Sequence, residues 1–136
     1  MNKRLRLGMI GGGQGAFIGA VHRMASRIDD SYELVAGCLS STPEKSLLSA
    51  KEIGLDVTRS YPDFATMAEE ESKRDDGAEV VSIVTPNHMH ASPAIAFLNK
   101  NIHVICDKPM TSTMEDAQSL VKAASDSKAH FFLTHN

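Results

Sequence analysis

The sequence predicts an α/β fold with a doubly wound, mostly parallel β-sheet. Apolar runs of strand length recur along the 136 residues, and most are continuous rather than alternating, which is typical of strands covered on both faces. Segments with helical spacing lie between these runs, so the strands are expected to be parallel and joined by right-handed crossovers. Together these observations indicate the Rossmann-type class.

Five strands are expected, each an apolar run bounded by polar residues or glycine. They are LRLGMI (5–10), ELVAGCL (33–39), EVVSIV (79–84), HVIC (103–106) and HFFLT (130–134). A short piece at 58–60 is expected to add a weak strand. The chain stops soon after the last run without a closing helix, so it is expected to be a truncated two-domain protein.

Helices are predicted between the strands from turn signals and apolar spacing. One opens after a glycine-rich turn, a second begins at Pro43 and a third follows Pro62. Two more have apolar residues at i, i+3, i+4 and i+7, namely Ala91, Ala94, Ile95 and Leu98, and Ala117, Leu120, Val121 and Ala124. Each of these two is expected to pack one apolar stripe on the sheet.

Three local features refine these helices. Ser112 and Glu115 have the spacing of a capping box, and Gly54 or Asn101 suits a C-terminal cap. The run EEESKRDDG (69–77) has no apolar side chain and is predicted to be a solvated helix end and loop. His22 and Arg23, on the first helix, are expected at the surface, and a place near bound phosphates is the alternative.

The composition describes one globular domain, residues 1–136, and argues against several classes of protein. Apolar residues make up 42% and charged residues 23% of the chain, unlike a disordered protein. The net charge of -3 offers no basic excess for nucleic acid, and no apolar run is long enough to span a membrane. A cytoplasmic location is therefore predicted, and Cys38 and Cys106 are expected to be free thiols in apolar strands.

The segment GMIGGGQGAFIGAVHRMASRI follows the first strand and opens a helix, as a dinucleotide fingerprint requires. Glycines let the turn close and let the backbone approach a pyrophosphate, which the N–H groups of the helix N-terminus can bind. Gly11, Gly13 and Ala16 fit G-x-G-x-x-A, whereas Gly13, Gly15 and Gly19 fit a turn one residue longer. A tight turn without a ligand is the alternative, and the strand–turn–helix context favours phosphate binding.

The second strand ends in GCLSSTPEKS, without the acidic residue that bonds the ribose of NAD in such folds. Ser40 and Ser41, with Lys45 in the next turn, could hold a 2'-phosphate instead. The sequence therefore favours NADP slightly over NAD. Alternatively, these residues only cap the helix that begins at Pro43.

Another loop, TPNHMHASPA, follows the run EVVSIV at the sheet edge where such folds bind ligands. Thr85, Pro86 and Asn87 begin this loop, although Asn87 could instead cap the next helix. The metal-ligating side chains nearby are His88, His90, Cys106 and Asp107. Because a two-residue spacing at a helix start points the two histidines apart, no metal site is predicted.

Three segments in this order resemble the Gfo/Idh/MocA family of NAD(P)-dependent oxidoreductases, which act mostly on sugars, inositols and related polyols. They are IGGGQGAFIG, VSIVTPNHMH and HVICDKPM, each at the end of a predicted strand. The resemblance covers the whole chain but only the N-terminal cofactor domain of the family. The C-terminal α/β domain of the family is therefore expected to be absent from this chain.

The resemblance implies a set of site residues. In the family, a Glu-Lys-Pro triplet places its lysine by the nicotinamide, where it bonds the substrate hydroxyl, and the matching residue in this chain is Lys108. The first loop is expected to contact the pyrophosphate through Gly11, Gly13, Gln14, Gly15, Ala16, Phe17 and Ile18. The later loops are expected to line the path of the cofactor with Thr85, Pro86, Asn87, His90, Asp107, Lys108 and Pro109.

The implied function is hydride transfer between NAD or NADP and a secondary hydroxyl of a sugar, inositol or related polyol. Because the remaining catalytic groups and the main dimer surface belong to the second domain of the family, the 136-residue chain is expected to bind nucleotide without turnover. The full-length protein is expected to be a homo-oligomer. A non-catalytic nucleotide sensor is the alternative, and a fold that binds S-adenosylmethionine is a third, although it gives no reason for Lys108.

Overall fold

The computed structural model describes residues 3–136. Its sheet contains β1 (Leu5–Gly11), β2 (Tyr32–Cys38), β3 (Val80–Val84), β4 (His103–Cys106) and β5 (Phe131–Leu133). The strands lie in the order β2-β1-β3-β4-β5, and every pairing is parallel. The predicted parallel, doubly wound sheet is confirmed. Successive strands are added toward one edge of the sheet up to β2 and toward the other edge from β3 onward. The switch point therefore lies between β1 and β3, which is where open α/β sheets bind ligands.

Five α-helices connect the strands within the described residues. They are α1 (Phe17–Ile28), α2 (Pro43–Glu52), α3 (Phe64–Lys73), α4 (Ala91–Leu98) and α5 (Met114–Asp126). Pro43 occupies the first turn of α2, as predicted, because its missing N–H has no intrahelical partner there. Asp63 caps α3, since its carboxylate accepts a hydrogen bond from the Thr66 N–H at 2.7 Å.

The two faces of the sheet are covered by different helices. Helices α3, α4 and α5 pack side by side on one face, over a core that includes Ile10, Val81, Ile83, Phe97, Val104 and Leu120. The opposite face carries α1 and α2 over a smaller cluster of Met9, Leu39, Ala50, Leu55 and Val84. Beyond α1 this second face bears a cavity of about 450 Å³, where the Phe132 side chain is 56% exposed.

Two predicted boundaries need correction. Residues 58–60 do not form a strand, because Val57–Arg59 is a 3-10 helix and a single bridge joins Ser60 to Gly37. The cap of α5 is Thr113 rather than Ser112, and its hydroxyl accepts a hydrogen bond from the Asp116 N–H at 3.1 Å. The helix begins at Met114, so the predicted capping pair lies one residue too early.

The acidic run at 69–77 is only partly solvated, which corrects the prediction for Glu71. This side chain is buried and accepts hydrogen bonds from the Arg59 guanidinium at 3.0 and 2.5 Å, from the Tyr61 hydroxyl at 2.6 Å and from the Ala78 N–H at 2.9 Å. Burial opposes ionisation of Glu71, but these donors hold its pKa below the ordinary value. The network ties the segment before α3 to the start of β3.

Candidate functional site

The carboxyl ends of β2, β1 and β3, which are neighbours in the sheet, surround a cleft of about 590 Å³. Its lining includes Gly11, Gly12, Gly13, Gln14 and Ala16 at and after the end of β1, Ser40 and Ser41 after β2, Pro62, Asp63 and Phe64 at the start of α3, and Thr85, Pro86, His88 and Met89 after β3. Most of the predicted cofactor residues of the first loop therefore lie together with those after β2 and β3. The cleft occupies the switch point of the sheet.

Residues 11–16 form the turn that we call the glycine loop, and both Gly13 in this loop and Gly19 on α1 approach other backbone atoms too closely for a larger side chain. The Gly13 N–H donates a hydrogen bond to the Leu39 carbonyl at 3.0 Å, and a Cβ at Gly13 would lie 2.5 Å from that oxygen. A Cβ at Gly19 would overlap the Cα of Gly12. Gly19 is thus the glycine that lets α1 pack against the strand, as in the longer of the two predicted registers.

The end of the glycine loop is suited to an anion. Ala16 is the N-terminal cap of α1 and has no side chain that could accept from the first-turn N–H groups. Those groups, which begin at Phe17 and Ile18, are therefore available to an external acceptor such as phosphate. Phe17 is 81% exposed at this helix end. These N–H groups could hold the pyrophosphate of a dinucleotide.

Side chains outside the loop hold it in place. The Gln14 N–H donates to Oγ of Ser49 at 3.0 Å, and its side-chain amide donates to Glu52 at 2.5 Å, so Gln14 is anchored on α2. The Arg23 guanidinium donates to the Gly12 carbonyl at 2.7 Å. Burial and the neighbouring Arg27 lower the pKa of Arg23. Arg23 therefore lies against the glycine loop and is not fully at the surface, because its partner is a backbone carbonyl of that loop.

The residues after β2 divide into two groups. Ser40 is partly buried and Ser41 is exposed, and both line the cleft, whereas Lys45 is exposed on α2 and is not among the lining residues. The cap of α2 is Thr42, whose side chain makes no capping hydrogen bond. The two serine hydroxyls therefore do not provide the helix cap that was the alternative to phosphate binding.

The loop after β3 corrects the prediction for His90. Its side chain is only 1% exposed, and its two ring nitrogens lie 2.9 Å from the Thr85 carbonyl oxygen and 2.7 Å from that of Pro109. Because backbone carbonyls occupy both nitrogens, His90 supports the site from behind instead of lining the cleft. Asn87 belongs to a 3-10 helix, Asn87–Met89, and does not cap α4, which has His90 at its cap position.

Residues 107–110, which we call the lysine loop, follow β4 at the same edge of the sheet. The Asp107 N–H donates to the Ile83 carbonyl at 3.0 Å, and the Lys108–Pro109 peptide bond is cis. The Lys108 side chain is exposed, and no hydrogen bond or ion pair with another described residue engages its amine. The contact of Pro109 with His90 thus places the lysine loop beside the loop after β3, although Lys108 itself is not among the residues that line the cleft.

The carboxylate of Asp107 makes contacts beneath the lysine loop that involve His22. It accepts a hydrogen bond from the Thr134 hydroxyl at 3.1 Å and lies 3.5 Å from Nε2 of His22. The His22 side chain is 11% exposed, and its Nδ1 lies 2.6 Å from Oγ of Ser82. The prediction that His22 lies at the surface is wrong, because its partners are distant in sequence.

Other reactive groups do not form a site of their own. Burial, with smaller effects of Asp63 and Asp107, raises the pKa of the Cys38 thiol to about 11 and that of Cys106 to about 12. Both are free, as predicted. Across residues 3–136, no three His, Cys, Asp or Glu side chains come together as a metal site would need. None of the helices in this range is long and apolar enough to cross a membrane.

Known proteins that are similar in sequence to this chain are named as oxidoreductases. The chain is 40% identical over 129 residues to an uncharacterized oxidoreductase, YfiI, of Bacillus subtilis, and 30% identical over 131 residues to levoglucosan dehydrogenase of Pseudarthrobacter phenanthrenivorans. These alignments cover 94% and 91% of this chain but 33% and 31% of the relatives. The chain therefore spans about a third of the length of the curated relatives that it matches.

Solved structures agree in fold and sequence. An oxidoreductase from Sinorhizobium meliloti matches with a TM-score of 0.94 and 61% identity, over 98% of this chain and 37% of that protein. An inositol dehydrogenase homolog from Azotobacter vinelandii, solved with NADH and myo-inositol, matches with a TM-score of 0.93 and 36% identity, over 98% and 35%. The model of the oxidoreductase family with an NAD-binding Rossmann fold matches residues 5–135. The chain therefore belongs to the Gfo/Idh/MocA family and comprises its NAD-binding domain.

Proposed function

We propose that residues 1–136 are the cofactor domain of a longer dehydrogenase, which transfers hydride between a nicotinamide dinucleotide and a secondary hydroxyl of an inositol, sugar or related polyol. One observation carries the proposal: an exposed, unpaired Lys108 stands at the same sheet edge as a glycine loop that can hold a pyrophosphate. Relatives named as inositol and levoglucosan dehydrogenases support the substrate class.

In this proposal the side chain of Lys108 acts on the substrate hydroxyl. Its ammonium group stabilises the negative charge that develops on the oxygen as hydride leaves the adjacent carbon, and it can pass on the hydroxyl proton. The nicotinamide, when bound, accepts the hydride. The glycine loop and the first turn of α1 hold the phosphates in this proposal, and Thr85, Pro86, Asp107 and Pro109 are proposed to lie along the path of the cofactor.

We further propose a modest preference for NADP. No acidic residue ends β2, and the hydroxyls of Ser40 and Ser41 line the cleft without capping α2. The Ser40 hydroxyl accepts a long hydrogen bond from the Thr42 N–H at 3.5 Å, so both hydroxyls can still donate to a 2'-phosphate, with Lys45 in the next turn. A Ser40→Asp substitution should reverse the preference, because a carboxylate repels that phosphate and accepts hydrogen bonds from a ribose.

The first experiment titrates the 136-residue chain with NADH and with NADPH and follows the fluorescence of the reduced nicotinamide. Binding of both, with the tighter constant for NADPH and the reverse order in Ser40→Asp, is expected. Tighter binding of NADH by the unchanged chain would contradict the NADP preference. The absence of binding to either nucleotide would refute the cofactor site.

A second experiment separates a dehydrogenase from a nucleotide sensor. In the longer protein, Lys108→Ala should leave NADH affinity within about twofold and reduce turnover by about 10²-fold or more, as for loss of a general acid–base group. The purified 136-residue chain should bind nucleotide but show no turnover with inositols or sugars. Unchanged turnover in Lys108→Ala would favour the non-catalytic sensor.

A further inference from the structure

A connected set of polar side chains lies under the lysine loop, on the face of the sheet that α1 covers. Four side chains take part: His22 on α1, Ser82 on β3, Asp107 after β4 and Thr134 after β5. Their contacts run from Ser82 to His22 at 2.6 Å, from His22 to Asp107 at 3.5 Å and from Thr134 to Asp107 at 3.1 Å. The set therefore connects four separate segments, with the Asp107 carboxylate in contact with His22 and Thr134 and with Ser82 reached through His22.

The chemistry of these groups determines which one is the donor and which the acceptor in each contact. An ionised carboxylate only accepts, so both the Thr134 hydroxyl and Nε2 of His22 face Asp107 as donors. In the neutral imidazole this leaves Nδ1 to accept from the Ser82 hydroxyl. The side chains of His22 and Asp107 are 11% and 14% exposed, and shielding from water strengthens such charge-assisted contacts. The Asp107 carboxylate is thereby fixed.

Lys108 lies between two anchored neighbours. On one side the Asp107 N–H is bonded to Ile83 and its carboxylate is held by Thr134 and His22. On the other side the Pro109 carbonyl meets the buried ring of His90 at 2.7 Å. The Lys108 amine itself makes no contact of this kind among the described residues. A fixed backbone with a free ammonium group orients the group without neutralising it.

We propose that Asp107 is a positioning residue, whose carboxylate, held by Thr134 and by His22 on Ser82, sets the direction in which Lys108 leaves the strand. The inference rests on the proposed function, because it takes Lys108 as the group that acts on substrate. It assigns Asp107 to the support beneath the loop. Substitutions at Thr134 and Ser82, which do not contact Lys108, should therefore disturb the lysine.

The test uses NMR spectra of the 136-residue chain with ¹³C-methylated lysines, in which the Lys108 signal is identified by its loss in Lys108→Arg. Thr134→Val and Ser82→Ala remove one hydroxyl each with little change of volume, and both should shift the Lys108 signal. Thr134→Ser keeps a hydroxyl and should restore it. Thr58→Val is the matched control, since it removes an exposed hydroxyl that donates to Asp56 at 2.7 Å.

The outcomes separate this proposal from the proposed function. A Lys108 signal that is unchanged in both Thr134→Val and Ser82→Ala would overturn the positioning role, whatever the cofactor does. A Lys108 signal that does not respond to NADH would instead count against a place beside the nicotinamide. In the longer protein, Thr134→Val should lower kcat by about tenfold at unchanged KM for the cofactor, as expected for a misdirected catalytic group.

Discussion

The glycine loop and the lysine loop lie at the same edge of the sheet but are built in opposite ways. The glycine loop depends on side chains that are missing, because Gly13 and Gly19 leave no room for a Cβ. The lysine loop depends on side chains that are present, since His90, Thr134 and His22 hold its backbone and its carboxylate. Substitutions that add atoms should therefore destabilise the glycine loop, whereas substitutions that remove atoms should destabilise the lysine loop.

The largest effect is expected where an atom is added to the packing of the glycine loop. Gly19→Ala should lower the free energy of unfolding by about 3 kcal/mol, at the upper end of the usual cost of overpacking, because the new Cβ overlaps the backbone of Gly12. Urea unfolding of the 136-residue chain measures this. NADH affinity should fall as well, since α1 must move away from β1. A loss below that of Gly15→Ala would contradict the close-packing argument.

The second-largest effect is expected where a side chain that supports the lysine loop is replaced. His90→Phe keeps a buried ring but removes the ring nitrogens that contact the carbonyls of Thr85 and Pro109, so the free energy of unfolding should fall by about 2 kcal/mol. Lys108→Ala, at the exposed tip of the same loop, should change it by less than about 0.5 kcal/mol. Equal losses in the two variants would show that the loop is not held through His90.

The contrast between the glycine loop and the lysine loop also explains which features the sequence predicts well. Strands, helices and the glycine loop follow from local patterns, such as continuous apolar runs and Pro43 at the start of α2. The choice between the two glycine registers is not local, because it depends on how closely Gly19 approaches Gly12 across the loop. The side chain of Lys108 was found through the resemblance of its triplet, since a lysine after a strand carries no signal of its own.

The sequence-based predictions are wrong where a polar side chain pairs with a residue that is distant along the chain. Glu71 stands in an acidic run and was expected in solvent, but Arg59 and Tyr61 pair with it inside the fold. His22 was expected at the surface and instead meets Ser82 and Asp107. Charge and periodicity describe the neighbours of a residue along the chain, whereas these contacts are set by the packing of separate elements.

A smaller effect is expected where the glycine loop has open space. No atom lies within 4 Å of a Cβ added at Gly15, so Gly15→Ala meets only the strain of its φ of +77°. We expect a loss of about 1 kcal/mol in the free energy of unfolding, typical of a left-handed backbone without glycine. The measurement is the same urea titration. A loss as large as that of Gly19→Ala would mean that backbone conformation, rather than space, limits this loop.

The smallest effect concerns the two thiols, one at the end of β2 and one beside the lysine loop. Burial and then Asp107 raise the pKa of Cys106 to about 12, and burial and then Asp63 raise that of Cys38 to about 11. The fold therefore favours the protonated thiols. This contribution to stability is fully present below about pH 8.5, the ordinary thiol pKa, and is lost as the pH rises toward the folded values.

We accordingly expect the free energy of unfolding to change little from these groups near neutral pH and to decline in alkaline buffer. The decline should be weaker in Cys106→Ala than in the unchanged chain, because that variant lacks the more strongly shifted thiol. Both thiols should also resist alkylation in the native chain near neutral pH and react once urea unfolds it. Rapid alkylation of the native protein would show that the strand ends beside the two loops open to solvent.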